Sequence, residues 1–265
     1  MVKRHVVHTC MAVLIFGSVL VVACPVDAHD VWVTVDQNQT GNLRAMVHHG
    51  HPGDRKTPDP DKLFEFDAIG SDHTRRSLLP EIQSVRQANI PILITAPLPV
   101  SQESVLLLAA QYDNGYWVET FRGFRNTSRR QVPSAKTSLS SMKFAKALVL
   151  VRAGESELYR ARVGHRLELV SLNDPFSVQP GEAMKVSVYF EGKPLVGAEV
   201  ESTDGLTPMD EKEIPRYRTD AQGIAAIPLT RRGPYLLVVD HEVAPAQPEL
   251  AAKDRYNATL SFTLP

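Results

Sequence analysis

The sequence predicts an all-β protein: two antiparallel β-sandwich domains behind an N-terminal export signal. Three observations carry this. Apolar residues recur at every second position through most of the chain, the period of a strand with one buried face. Nineteen prolines and fifteen glycines punctuate the 265 residues, so the apolar runs stay short. Only short stretches hold a helical period, and strands at this spacing with no helix between them build sandwiches.

The chain opens with a short basic head containing Lys3 and Arg4, followed by the apolar run Cys10 to Ala23. That run is shorter than the ~20 residues of a transmembrane helix and has the form of an export signal. Val26-Asp27-Ala28 places small or aliphatic residues where a signal peptidase reads, so residues 1–28 are expected to be removed and His29 to become the first residue. Val21-Val22-Ala23-Cys24 also fits a lipobox, with Cys24 acylated and retained as an anchor; Pro25 fits that use poorly. Both readings place the product in the periplasm, and no second apolar stretch is long enough to span a membrane. About 235 residues would remain, enough for two ordinary domains, expected at 29–172 and 173–265.

In chain order, Val31, Val33 and Val35 alternate as the first strand, and a turn follows at Asn38 to Asn42. Leu43, Ala45 and Val47 form the second, whose apolar face continues to His49 and His51 while His48 points away. Pro52-Gly53-Asp54 ends it. Phe64, Phe66 and Ala68 start another strand, and Ile90 to Ile94 and Val105 to Ala109 read as two more. Tyr112 to Arg125 is dense in aromatics, as expected of a core strand with one flank near the surface. Ser134 to Ala147 fits a short helix or a strand edge. Val163, His165, Leu167 and Leu169 alternate as a strand, and the domain boundary is expected near Ser171 to Pro175. Beyond it come Met184 to Phe190, a turn at Glu191 to Pro194, and Val196 to Val200. Thr219-Asp220-Ala221-Gln222-Gly223 is a turn signal. Ala225 to Leu229, Tyr235 to His241 and Leu260 to Leu264 complete the strands, with a surface loop at Pro245 to Lys253.

Charge is balanced, with 29 basic and 30 acidic side chains, which points away from nucleic acid. Both cysteines, Cys10 and Cys24, lie in the signal, excluding thiolate nucleophiles and cysteine metal sites from a chain cut at Ala28. No Ser-His-Asp order, paired-carboxylate spacing or phosphate-binding glycine loop indicates a hydrolase or nucleotide enzyme, and none is expected. The chemistry therefore falls to histidine. A first-position His29 would offer its α-amine and imidazole to one ion. His49 and His51 share a strand face and can reach one ion together; His48 joins them only if the strand breaks. An antiparallel pairing of the first two strands would bring His29 to His49 and His51. The metal ligands expected are thus His29, His49, His51 and His48, with Asp30 and Asp54 close enough to supply oxygen or to orient an imidazole. His165 and His241 continue apolar faces and read as core residues, and His73 as surface. Amine and imidazole donors suit nickel, cobalt, copper and zinc, so the donors do not name the metal.

Several stretches share one order with a known group of exported proteins: Ala28-His29-Asp30-Val31-Trp32, His49-Gly50-His51-Pro52, Tyr116 to Thr120 with Gly123 to Asn126, Val163 to Leu169 with Asp174-Pro175, Gly192 to Ala198, and Thr219 to Gly223. In these the chain resembles the bacterial periplasmic components of cobalt/nickel uptake systems, a family largely filed as a domain of unknown function. Gly192 to Gly223 also resembles a prealbumin-like or collagen-binding-type B module used as a stalk or spacer in many exported proteins. The resemblance implies Ni²⁺ or Co²⁺ as the ion bound and an inner-membrane nickel/cobalt transporter as partner. It implies no catalysis. Two other readings stand beside it: a copper oxidase built on a histidine brace, and a metal-free module of the cell envelope.

Overall fold

The computed structural model describes residues 29–37, 42–98, 103–179 and 181–265. The segment read as an export signal, with Cys24, the expected cleavage junction at Ala28 and most of the turn after the first strand lie outside the described residues. In chain order the strands are β1 (Asp30–Gln37), β2 (Leu43–His51), β3 (Asp54–Lys56), β4 (Leu63–Ile69), β5 (Arg75–Ser77) and β6 (Gln83–Gln87). Then come β7 (Ile90–Ile94), β8 (Val105–Thr120), β9 (Gly123–Asn126), β10 (Thr137–Leu150), β11 (Leu167–Ser171) and β12 (Ala183–Phe190). The last are β13 (Lys193–Pro194), β14 (Glu199–Thr203), β15 (Arg216–Arg218), β16 (Ile224–Pro228), β17 (Gly233–Val243) and β18 (Lys253–Leu264). The protein is all-β as expected; its helical turns among the described residues are three short 3₁₀ segments. No helix among these residues is long and apolar enough to cross a membrane.

Three sheets stack as layers. A nine-stranded sheet, ordered β15-β14-β17-β18-β10-β8-β4-β5 with β9 beside β8, lies in the middle. A five-stranded sheet (β1-β2-β7-β6, with β3 on β2) covers one face, and a four-stranded sheet centred on β12 covers the other. Strand alternation makes the middle sheet two-faced. Leu106, Leu108, Ala110 and Tyr112 of β8 pack with Val31, Val33, Ala45 and Val47. Val105, Leu107 and Ala109 pack with Leu167, Leu169, Val186 and Val188. Burial on both faces accounts for the unbroken apolar run Val105 to Ala110, which a half-exposed strand would not carry.

Strands from both sides of residues 172 and 173 share the middle sheet: β18 pairs with β10, and one core cluster runs from Ile69 to Leu264. That β10–β18 pairing is parallel, in a chain whose strand patterns were read as antiparallel throughout. A long connection back to the middle of the sheet permits it, and period-two patterning carries no information on direction. Of the stretch Ser134 to Ala147, ambiguous in sequence, Thr137 to Ala147 belong to β10, because neighbours on both sides supply a ladder that outweighs the helix preference of its Ala, Lys and Met residues. Tyr112 continues the same strand as Val105 to Ala109, while Phe121 is 83% exposed in the following turn.

The strand read from Val163 begins only at Leu167. The reason is a buried ion pair. Lys146 Nζ lies 2.9 Å from Glu168 Oε1, both side chains almost fully enclosed. The same carboxylate accepts from Val163 N at 2.7 Å and Gly164 N at 3.3 Å. Those amides bind the carboxylate in place of a neighbouring strand.

Candidate metal centre

β1 and β2 form an antiparallel hairpin, the pairing on which a meeting of His29 with His49 and His51 depended, with Val31 opposite His49 and Asp30 opposite Gly50. This register carries His29 alongside His51. The His29 ring centroid is 5.5 Å from that of His49 and 5.2 Å from that of His51. Three of the four predicted donors therefore meet at one end of the hairpin. His48 does not join them. β2 holds its alternation, so His48 points to the opposite face, stacked on Trp32 at 5.1 Å with Nε2 2.8 Å from Thr34 Oγ1. Among the described residues, no group of three His, Asp or Glu side chains is already drawn to metal-ligand geometry.

The hairpin is held by its outer edge. An edge strand exposes unpaired backbone groups, and buried ones require partners. Alternate residues of β18 supply them: Thr259 Oγ1 donates to the Val31 carbonyl at 2.9 Å, and Ser261 Oγ donates to the Val33 carbonyl. One step earlier on the same face, Asn257 Nδ2 donates to Asp30 Oδ1 at 2.9 Å and to Asp240 Oδ1 at 3.2 Å. Lys143, only 1% exposed, donates its ammonium to the His29 carbonyl. Burial pushes the Lys143 ammonium down to about 8, against the pull of Asp30 and Asp240. The position of His29 is thus set by residues more than a hundred positions away.

Gly50 separates His49 from His51 with φ +119°. A Cβ there would lie 2.3 Å from the Asp54 carbonyl oxygen, because β2 folds straight back into β3. Asp30 Oδ2 stands 3.7 Å from His51 Nδ1, close enough to orient that ring. Asp54 is exposed and pairs with Lys56 at 2.8 Å.

His49 is the most informative side chain. It is 9% exposed, and neither ring nitrogen makes a hydrogen bond of normal geometry, although the Thr57 backbone lies close enough to favour the protonated ring. Burial first, then the Lys143 ammonium and His29, push its pKa down to about 3. A buried imidazole with both nitrogens unsatisfied costs free energy, of order 1–3 kcal/mol per group. Neutral, with a lone pair and no proton donor facing it, it is in the state that binds a metal ion. The donor chemistry fits a borderline cation such as Ni²⁺, Co²⁺, Cu²⁺ or Zn²⁺.

The remaining predicted residues fall elsewhere. His241 sits edge-on to Phe190 at 4.5 Å, and His73 is exposed in a turn. Trp32 is core, packed on Leu236 and Val238. Trp117 is half-buried, its indole donating to the Asn114 carbonyl at 2.9 Å. His165 is buried against Phe144, and burial with the nearby Lys146 and Arg75 charges lowers its pKa to about 3. The unfolded imidazole titrates near 6.5. A folded value below the unfolded one means that the unfolded chain binds the extra proton, so stability is full above pH 6.5 and falls as pH drops from 6.5 toward 3. Urea midpoints should therefore decline over that range, and the His165→Leu variant should show a shallower acid limb. An identical limb in both proteins would refute this. Sequence reading missed Lys143, Asn257, Thr259 and Ser261. Its available signal was a pair of lysines, Lys143 and Lys146, set into an otherwise apolar and small-residue strand.

No curated protein matches the chain. The family model of a domain of unknown function, DUF4198, matches residues 26–243, a span that includes the whole histidine hairpin and ends with β17. The chain belongs to the DUF4198 family.

Proposed function

We propose that this is a periplasmic nickel- or cobalt-binding protein that captures the ion and supports its delivery to an inner-membrane importer. The observation that carries the proposal is His49, buried with both nitrogens unpartnered beside the rings of His29 and His51. An ion shared by the three imidazoles would give one of the two unpartnered His49 nitrogens a partner. Removal of residues 1–28 would add the His29 α-amine as a fourth donor, forming a chelate with its own ring. The preference for nickel or cobalt comes from the resemblance of the sequence to uptake components. Delivery follows by ligand exchange at the importer, and the proposal assigns no catalytic step.

Calorimetric titration of the purified mature protein with Ni²⁺ and Co²⁺ tests it, alongside His49→Ala and the intact mass of the protein from its own envelope. The expected result is a single site, weakened at least about a hundredfold in His49→Ala, on a chain beginning at His29. Equal binding by both proteins would exclude the site. A copper-only site with peroxide-dependent turnover would replace the capture role with oxidase chemistry.

A further inference from the structure

A second cavity lies on the other face of the histidine hairpin. It encloses about 630 Å³ between β1 and β2 on one side and β10, β17 and β18 on the other. That is the size of a site for a small organic molecule. Most of its wall is apolar, with Met46, Ile90, Ile92 and Leu206 among the lining residues. One end is different. Arg55 lies over the Trp32 ring at 4.2 Å, with His48 stacked on the same indole at 5.1 Å. Both line the cavity.

These two side chains carry unmet hydrogen-bonding capacity. Arg55 Nη2 donates to the Gly205 carbonyl at 2.5 Å, but Nη1 is shielded from water and has no partner. No carboxylate among the described residues stands within ion-pair distance of this guanidinium; Asp204, also in the wall, acts on it only at longer range. His48 Nδ1 is likewise shielded and unpartnered. In the tautomer whose Nε2 accepts from the Thr34 hydroxyl, Nδ1 carries the ring hydrogen. The end of the cavity therefore presents a half-buried cation and a neighbouring imidazole, each with one nitrogen that lacks a partner. An acid group suits such a pair, since a planar guanidinium matches a carboxylate in geometry and charge.

We propose that this cavity binds a small amphipathic carboxylate, its acid group held by Arg55 and His48 and its apolar body lying along Met46, Ile90, Ile92 and Leu206. The site is separate from the histidine cluster, because successive residues of β2 face opposite ways. Occupation would give the unpartnered nitrogens a partner and cover the exposed side chains of Ile90 and Leu206.

Titration calorimetry of the purified full chain with sodium decanoate and with decanol, below the micellar range and with a metal chelator present, tests this. Decanoate is expected to bind at least about tenfold more tightly than decanol, with Arg55→Gln losing that preference and His49→Ala keeping it. Decanol binding as tightly as decanoate would overturn the proposal, as would the absence of binding by either. Because the comparison of the two ligands needs no variant, a poorly folding Arg55→Gln protein leaves the test intact. Because the chelator removes metal, failure here is distinct from failure of nickel or cobalt capture.

Discussion

Replacing His49 with leucine should stabilise the metal-free protein by about 1–2 kcal/mol while removing its metal binding. The wild-type imidazole is enclosed with two polar nitrogens that no protein group satisfies. Leucine fills a similar volume, carries no polar atom and faces an apolar neighbourhood that includes Val47 and Tyr112. Only part of the desolvation cost is recovered, because the ring also packs against His29 and Tyr112. Urea unfolding in chelator measures the gain, and calorimetry with Ni²⁺ measures the loss. Adding ion at about a hundred times its dissociation constant should stabilise the wild-type protein by about 2.7 kcal/mol and the variant not at all. A histidine kept for structure would behave in the opposite way. If His49→Leu lost more than about 1 kcal/mol without metal, the ring would be making a stabilising contact and the ligand role would fail.

The second large effect is expected at Gly50. Gly50→Ala should cost about 3 kcal/mol, a fall in melting temperature of roughly 6–12 °C for a protein of this size. Two costs combine. The residue sits at φ +119°, which disfavours any side chain, and the new Cβ would press on the Asp54 carbonyl at 2.3 Å. The obstacle is backbone, so relief requires opening the β2–β3 turn, and that turn sets the directions of His49 and His51. Metal affinity should fall with stability, by about tenfold or more. Gly197→Ala provides the comparison. It has φ +75° with nothing within 4 Å of its Cβ, so it should cost only about 1 kcal/mol and leave metal binding unchanged. Equal losses at both positions would mean that backbone strain accounts for the effect and the Asp54 contact does not.

The two predictions rest on residues that differ in how visible they were beforehand. His49 and His51 were legible because a two-residue spacing on an alternating strand puts both rings on one face, whatever the rest of the fold does. The same rule sent His48 away, and the structure follows it. Gly50 was visible only as a glycine between histidines; its constraint comes from Asp54, brought close by the turn. Lys143, more than ninety residues beyond the cluster, was out of reach. Its role depends on β10 lying beneath β1, a contact between layers that no local pattern encodes.

By itself the sequence determined the all-β class, the β1–β2 hairpin and the shared face of His49 and His51. Each follows from period-two alternation and turn chemistry, which act over a few residues. Only the tertiary structure decided that one nine-stranded sheet crosses the middle of the chain and that β18 runs parallel to β10. It likewise decided that the edge of β1 is closed by Asn257, Thr259 and Ser261. The physical reason is that strand alternation specifies which side chains are buried but not which strand lies beside them. That choice belongs to packing among all three layers and to the need to satisfy every buried backbone group.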